Sequence, residues 1–264
     1  MKKFLALFAL VLFFASCSEY QKALKSEDVA IKFTVAAKKY EAKKFNKALR
    51  LFEQIAPAYK GKPQAERMFY MYSQSLYNTE QYYLAGYQFE SFASSYPKSE
   101  KLEETSFLGA KCYTFLSPVY SLDQIDTYKA IDKLQNFIDL FPESPNMLEA
   151  NVLAKNLREK LEKKAFENAK IYNTISDYKA AIVAFENFLI NFPGTTFKEK
   201  ALYYKLDSAY NLAINSIPSK MEDRLLNVRI AYNNLIKFKA DSEYKSKADS
   251  MSARIENDLK QFTK

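Results

Sequence analysis

Two cysteines are the only thiols in 264 residues, and they are set in different surroundings. Cys17 follows Ala15-Ser16 at the end of an unbroken apolar run, Phe4 to Phe14, itself behind Met1-Lys2-Lys3. A basic head, a short apolar core and small residues before a cut make a secretory signal, and this run is too short to cross a membrane. Cys112 sits in Phe107-Leu108-Gly109-Ala110-Lys111-Cys112-Tyr113, a helical apolar stretch where a buried, inert thiol is expected. With no histidine in the chain, the commonest general base and the commonest metal ligand are missing. One remaining cysteine cannot build a thiolate metal site, and four glycines leave no Gly-rich phosphate loop. The chain is therefore expected to be no enzyme and to hold no metal or cofactor.

Phe14-Ala15-Ser16 ahead of Cys17 resembles a bacterial lipobox, with Phe14 where leucine is most often found. That resemblance implies removal of residues 1–16 and lipid attachment at Cys17, with residues 17–26 as a short tether. The other reading is an ordinary secretory signal with an incidental cysteine. Each buried methylene contributes about 0.8 kcal/mol, and two or more acyl chains hold a protein stably. Ser18 follows the cysteine and Glu19 is the one acid nearby, which favours the periplasmic leaflet over the cell surface. Loss of Lys2 and Lys3 lowers the formal charge from +8 to +6. Lys38-Lys39, Lys43-Lys44 and the run Arg158 to Lys164 mix with acids at helical spacing, the pattern of a solvated face. A modest attraction to anionic headgroups or acidic partners is compatible with it, whereas nucleic acid is not an expected partner of an exported protein.

The elements that must position such surfaces follow from one recurring beat. It reads Phe45–Ala48–Phe52–Ile55–Tyr59, then Tyr82–Ala85–Phe89–Phe92–Tyr96, Thr127–Ala130–Leu134–Phe137–Phe141 and Tyr178–Ala181–Phe185–Phe188–Phe192. Pro97, Pro142 and Pro193 close the last three, and Val228–Ala231–Leu235–Phe238 is a degenerate fifth copy. Steps of three and four mark one helix face, and a fixed internal period marks a repeat array. Each beat predicts the second helix of a pair, with alanine admitting a close neighbour and proline ending the helix. Ser99, Ser144-Pro145 and Thr195 or Thr196 are expected to cap the helices that follow. Asn146 to Asn173, free of Gly and Pro, reads as one helix of about 42 Å joining the two halves of the array. The loop from Ser117-Pro118 to Asp126 is too long for a tight turn and is a candidate for function.

Ala37/Tyr40, Ala110/Tyr113 and Ala169/Tyr172, together with the beat, resemble the tetratricopeptide repeat. The expected fold is thus an all-α superhelix of five helix pairs, about ten helices. It would fill residues 27–264, with repeats at 27–60, 63–97, 99–142, 145–193 and 195–242 and a capping helix at 243–261. The lipobox, Lys22-Ala23-Leu24-Lys25-Ser26, Tyr82 to Phe89, and the string Ser121 to Ile131 are similar to the BamD family of outer-membrane β-barrel assembly lipoproteins. That resemblance implies a non-enzymatic scaffold on the periplasmic face of the outer membrane. Its partners would be the barrel insertase with its accessory subunits, unfolded outer-membrane protein substrates, and outer-membrane lipid through the acyl anchor. Another lipid-anchored periplasmic repeat adaptor, acting in division or peptidoglycan coordination, is the alternative. By the usual repeat geometry Phe33, Tyr40, Arg67, Tyr70, Gln74, Tyr77 and Asn78 would line a peptide groove, and Arg254 and Lys260 would serve partner docking at the C-terminal end.

Overall fold

A computed structural model describes residues 19–262, which are helical without a strand among the described residues. Cys17 and the signal segment lie outside the described residues. Residues 19–25 form a short helix. Five pairs follow: α1 (Val29–Glu41) with α2 (Phe45–Tyr59), α3 (Ala65–Asn78) with α4 (Tyr82–Ser95), α5 (Leu102–Leu116) with α6 (Ile125–Leu140), α7 (Met147–Thr174) with α8 (Tyr178–Asn191), and α9 (Lys198–Ile214) with α10 (Pro218–Phe238). Helix α11 (Lys245–Leu259) and a 3-10 turn, Lys260–Phe262, end the described chain. Tight turns at 42–44, 79–81, 175–177 and 215–217 leave four of the pairs antiparallel, and α5 and α6 are joined by the longer loop 117–124.

Packing explains the beat. Ala48, Ala85, Ala130 and Ala181 are fully buried, as are Phe52, Phe89, Leu134 and Phe185, four residues further on each helix; in the fifth copy Leu235 is fully buried and Ala231 buried. A methyl group at the first position lets the partner helix approach, and the larger side chain fills the seam behind it. The three prolines act as expected. Tyr96, Phe141 and Phe192 leave helical geometry, and each N–H still donates to the carbonyl four residues back, at 2.9–3.0 Å. Lys239 does the same without a proline, at an extended φ of −150°.

The caps differ from expectation. Ser99, Ser144 and Thr195 stand three residues ahead of α5, α7 and α9, not at their N-caps. Each opens a turn, its side-chain oxygen accepting the N–H two residues on at 3.0–3.1 Å, and Ser242 does likewise before α11. The serine hydroxyls also donate backwards, Ser99 to Glu66, Ser144 to Glu103 and Ser242 to Glu199, at 2.6–2.7 Å. Each acceptor is the second residue of a first helix. A carboxylate there meets both the helix N-terminus and a hydroxyl of the next repeat. The repeats are thus linked by a polar clamp as well as by their seams.

The sequence predicts one array, and the contacts within it gather into two compact units. One runs to Pro118 and resumes over Asp123–Leu157, and the other takes Val119–Leu122 and everything from Arg158. Helix α7 contributes Ala150, Ala154 and Leu157 to the core of the first unit and Phe166 and Ala169 to that of the second. Leu148, Val152 and Tyr172 of the same helix are exposed. The described part of the expected tether, residues 19–25, is helical. Tyr20 and Ala23 are buried in the same core as Phe33, Ala48 and Phe52, so residues 19–25 are packed on the first repeat. The architecture is an all-α array of helix pairs of the tetratricopeptide type.

Candidate functional site

The first helices of the first unit, α1, α3 and α5, share a face that centres on Glu104. Tyr70 Oη donates to Glu104 Oε1 at 2.7 Å, Gln74 Nε2 donates to the same oxygen at 3.0 Å, and Lys101 Nζ reaches Oε2 at 3.0 Å. Burial raises the Tyr70 pKa well above the phenol range, and the Glu104 hydrogen bond and charge add to it. Tyr40 is raised by burial and then by the Glu104 charge as well. Both hydroxyls remain protonated donors at any physiological pH.

Of the predicted groove residues, the structure brings Tyr40, Tyr70 and Gln74 together around Glu104. Arg67 lies at the rim, pairing with Glu41 at 3.3 Å with both side chains more than half exposed. Two positions need correction as surface contacts. Phe33 is a core residue with its ring 5.2 Å from that of Tyr59, because its position on α1 faces α2. Gln74 is buried, with Glu104 and Tyr70 as its partners. Tyr77 belongs to an aromatic cluster with Tyr82, Phe89 and Phe115, and exposed Asn78 donates to the Gln74 carbonyl at 2.7 Å. Glu104 itself escaped the sequence reading. It looks like one more acid in a first turn, and only packing of three helices makes it an acceptor in the middle of a face.

A second concavity is lined by residues of α2, α3 and α4. Phe69, Tyr72, Tyr87, Phe92 and Tyr96 line a cleft of about 940 Å³ whose mouth carries Glu53 and Lys60. Tyr87 and its neighbour one turn back, Tyr83, are 61% and 67% exposed, so α4 presents two rings to solvent. Spacing gave no warning of this cleft, since the beat explains only the inward residues of α4.

The predicted docking end behaves as a closing helix. Ile255 and Leu259 of α11 are buried and Met251 packs beside them. Arg254 is tied down: its NH1 donates to Tyr210 Oη at 3.0 Å, its guanidinium lies 5.7 Å from that ring, and Asp258 is 3.8 Å away. Lys260 Nζ approaches Asn257 Oδ1 at 3.5 Å on the terminal turn. The loop between α5 and α6 is likewise held. Thr127 donates to Gln124 Oε1 at 2.8 Å, Lys163 stacks 4.3 Å from the Tyr120 ring, and Lys164 donates to the Leu122 carbonyl. Gln124, part of the most specific string in the sequence, is buried. Cys112 is fully buried beside Gly86, and burial, then Glu90, pushes its thiol up to about 12. At neutral pH it holds its proton, as an inert thiol should.

No described helix is long and apolar enough to cross a membrane, and no group of three or more acidic, Cys or His residues among the described residues could hold a metal. Paired helices whose open faces carry rings and fixed polar groups define a repeat protein built around surfaces. The family model for YfiO, outer membrane lipoprotein, matches residues 26–225, and the chain belongs to that family. Two crystal structures of nearly identical TPR-like repeats from a Podosopora anserina kinesin light chain are also similar. Their identities are 13% and 14%, over 82% and 79% of this chain and 98% of each of those. The TM-score of 0.33 in both is too low to add to the argument. Among curated proteins no relative was found.

Proposed function

We propose that this chain is a non-enzymatic scaffold of outer-membrane β-barrel assembly, anchored by acyl chains on Cys17 at the periplasmic face. The observation that carries the reading is the family match over residues 26–225, joined to a helix-pair array with an aromatic, hydrogen-bonding face in its first unit. In this reading the C-terminal end, with Arg254 and Lys260, docks the barrel insertase. The face formed by Tyr40, Arg67, Tyr70, Tyr77 and Asn78 receives the aromatic-ended last strand of an unfolded barrel. An extended strand brings N–H donors that Glu104 can accept and a terminal carboxylate that Arg67 can meet bidentately. Aromatic side chains supply apolar slots with polar rims. Because Arg254 also braces α9, Lys260→Glu is the cleaner probe of docking.

Affinity purification of the tagged, membrane-extracted protein tests the proposal. A barrel-forming insertase should be the main companion, and Lys260→Glu should reduce its recovery with helicity unchanged. Recovery of division or peptidoglycan enzymes in its place would assign the chain to another envelope adaptor.

A further inference from the structure

The segment that follows the anchoring cysteine is built into the first repeat. Tyr20 is 5% exposed and Ala23 fully buried against α1 and α2. Glu19 pairs with Lys38 at 3.0 Å, and Lys47 Nζ lies 5.4 Å from the Tyr20 ring. Glu19 therefore sits beside the last turns of α1, and Tyr20 beside the first turn of α2. The beginning of the packed segment is thus at the edge of the repeat where the α1–α2 turn lies. Only Ser18 separates Glu19 from Cys17, and two residues reach at most roughly 7 Å.

That same edge concentrates charge. Between positions 38 and 50 the chain has Lys38, Lys39, Lys43, Lys44, Lys47 and Arg50 against one acid, Glu41. All of these cations except Lys39 are exposed. The equivalent turn of the next pair, Asn78-Thr79-Glu80-Gln81, carries none. Of these two turns, the basic one is the turn beside the anchor.

We infer that the α1–α2 edge is a membrane-contact surface that binds the anionic phospholipid headgroups of the leaflet holding the acyl chains. This rests on acylation of Cys17 and adds orientation to it. The packed segment holds the first repeat turn-edge down, and lysines at the turn contact headgroup phosphates. An acyl chain combined with a basic patch anchors more firmly than either alone. Each cation beside an anionic leaflet strengthens binding about fivefold.

Two measurements test it. First, the acylated full chain carries a fluorophore at Asn46→Cys, beside the turn, or at Gln64→Cys, the N-cap of α3, which follows the far end of α2, a 15-residue helix about 22 Å long. Buried Cys112 does not compete for label. In vesicles of phosphatidylethanolamine and phosphatidylglycerol with a headgroup-borne quencher, Asn46→Cys should be quenched strongly and Gln64→Cys weakly. Tyr20→Ala should erase the difference while the protein stays on the vesicles. Equal quenching of the two labels in the otherwise native chain overturns the inference, even where acylation holds. A native chain that does not stay on the vesicles overturns acylation, and this surface with it. Second, unacylated Cys17→Ser protein should sediment with phosphatidylglycerol vesicles and not with phosphatidylcholine. Lys43→Asn with Lys44→Gln should weaken that binding roughly thirtyfold, asparagine being suited to the left-handed backbone at position 43 (φ 55°). Unchanged binding by that variant also overturns it.

Discussion

Each of the two units repeats the same seam motif, and they differ in how their polar groups are held. In the first, neutral hydroxyls and rings gather round one carboxylate, with Tyr40, Tyr70 and Gln74 about Glu104. In the second, ionised pairs brace the helices. Arg229 clasps Glu256 through two bonds of 2.6 Å, Lys245 and Tyr232 hold Asp249, and Glu199 accepts from Lys239, Ser242 and the Glu243 N–H. Those partners hold the Glu199, Asp249 and Glu256 carboxyls below their ordinary range. The contrast teaches that the repeat sets only the buried side. Outside the seam, ion pairs such as Lys111–Glu149 and Lys133–Glu90 brace the first unit too, but that unit also keeps rings and an acceptor on a shared face.

The largest test concerns what is common. Phe89 and Phe185 occupy the same position of the beat and are both fully buried. Replacing either by alanine should cost about 3–5 kcal/mol, read by denaturant unfolding. Hydrogen exchange should show lost protection concentrated in the unit that carries the change. If Phe185→Ala exposes the amides of α2 to α5 as much as its own, the units do not respond separately and the comparison fails.

The next test separates the clamps. Glu199 serves three donors and is partly buried, whereas exposed Glu66 accepts from Ser99. Glu199→Gln should cost about 1–3 kcal/mol, and Glu66→Gln less than about 1. Equal losses would remove the distinction. Acid should find the same difference. A carboxyl with a lowered folded pKa stabilises above its unfolded value, about 4, and that contribution disappears as pH falls through the folded value. The second unit should therefore lose exchange protection first on acidification. Alkali acts with the opposite sign and on both units, through Tyr70 and Tyr113 in the first and Tyr203 and Tyr244 in the second, all raised chiefly by burial. Their contribution is complete below about pH 10 and is lost as pH rises through their folded values.

Much of this was legible because sterics wrote it into residue types. An alanine at Ala85 or Ala181 can only mean a close neighbour, and Pro97 or Pro193 can only mean an end. The clamp was half visible: Ser99, Ser144 and Thr195 were recognised as start signals, but their place three residues early depends on the turn each one opens. Glu104 was invisible because its neighbours come from three helices far apart in sequence. Phe33 was misplaced for a related reason. Aromatic residues line seams and faces alike in this chain, and spacing alone does not say which side of α1 meets α2. The packing of Tyr20 and Ala23 was missed because a seven-residue helix shows too little period to be noticed.

The smallest effect on stability accompanies the most telling one on function. Arg67→Ala removes an ion pair whose two sides are largely in water, so it should change stability by about 0.5 kcal/mol or less. Its face should nonetheless matter to a ligand. The direct measurement is calorimetric binding of a peptide copied from the last strand of an outer-membrane barrel, ending in phenylalanine. The account predicts saturable binding to the native chain that weakens with Arg67→Ala and Tyr70→Ala and falls when the terminal phenylalanine is removed. Equal binding of the shortened peptide, or no loss in either variant, would contradict it.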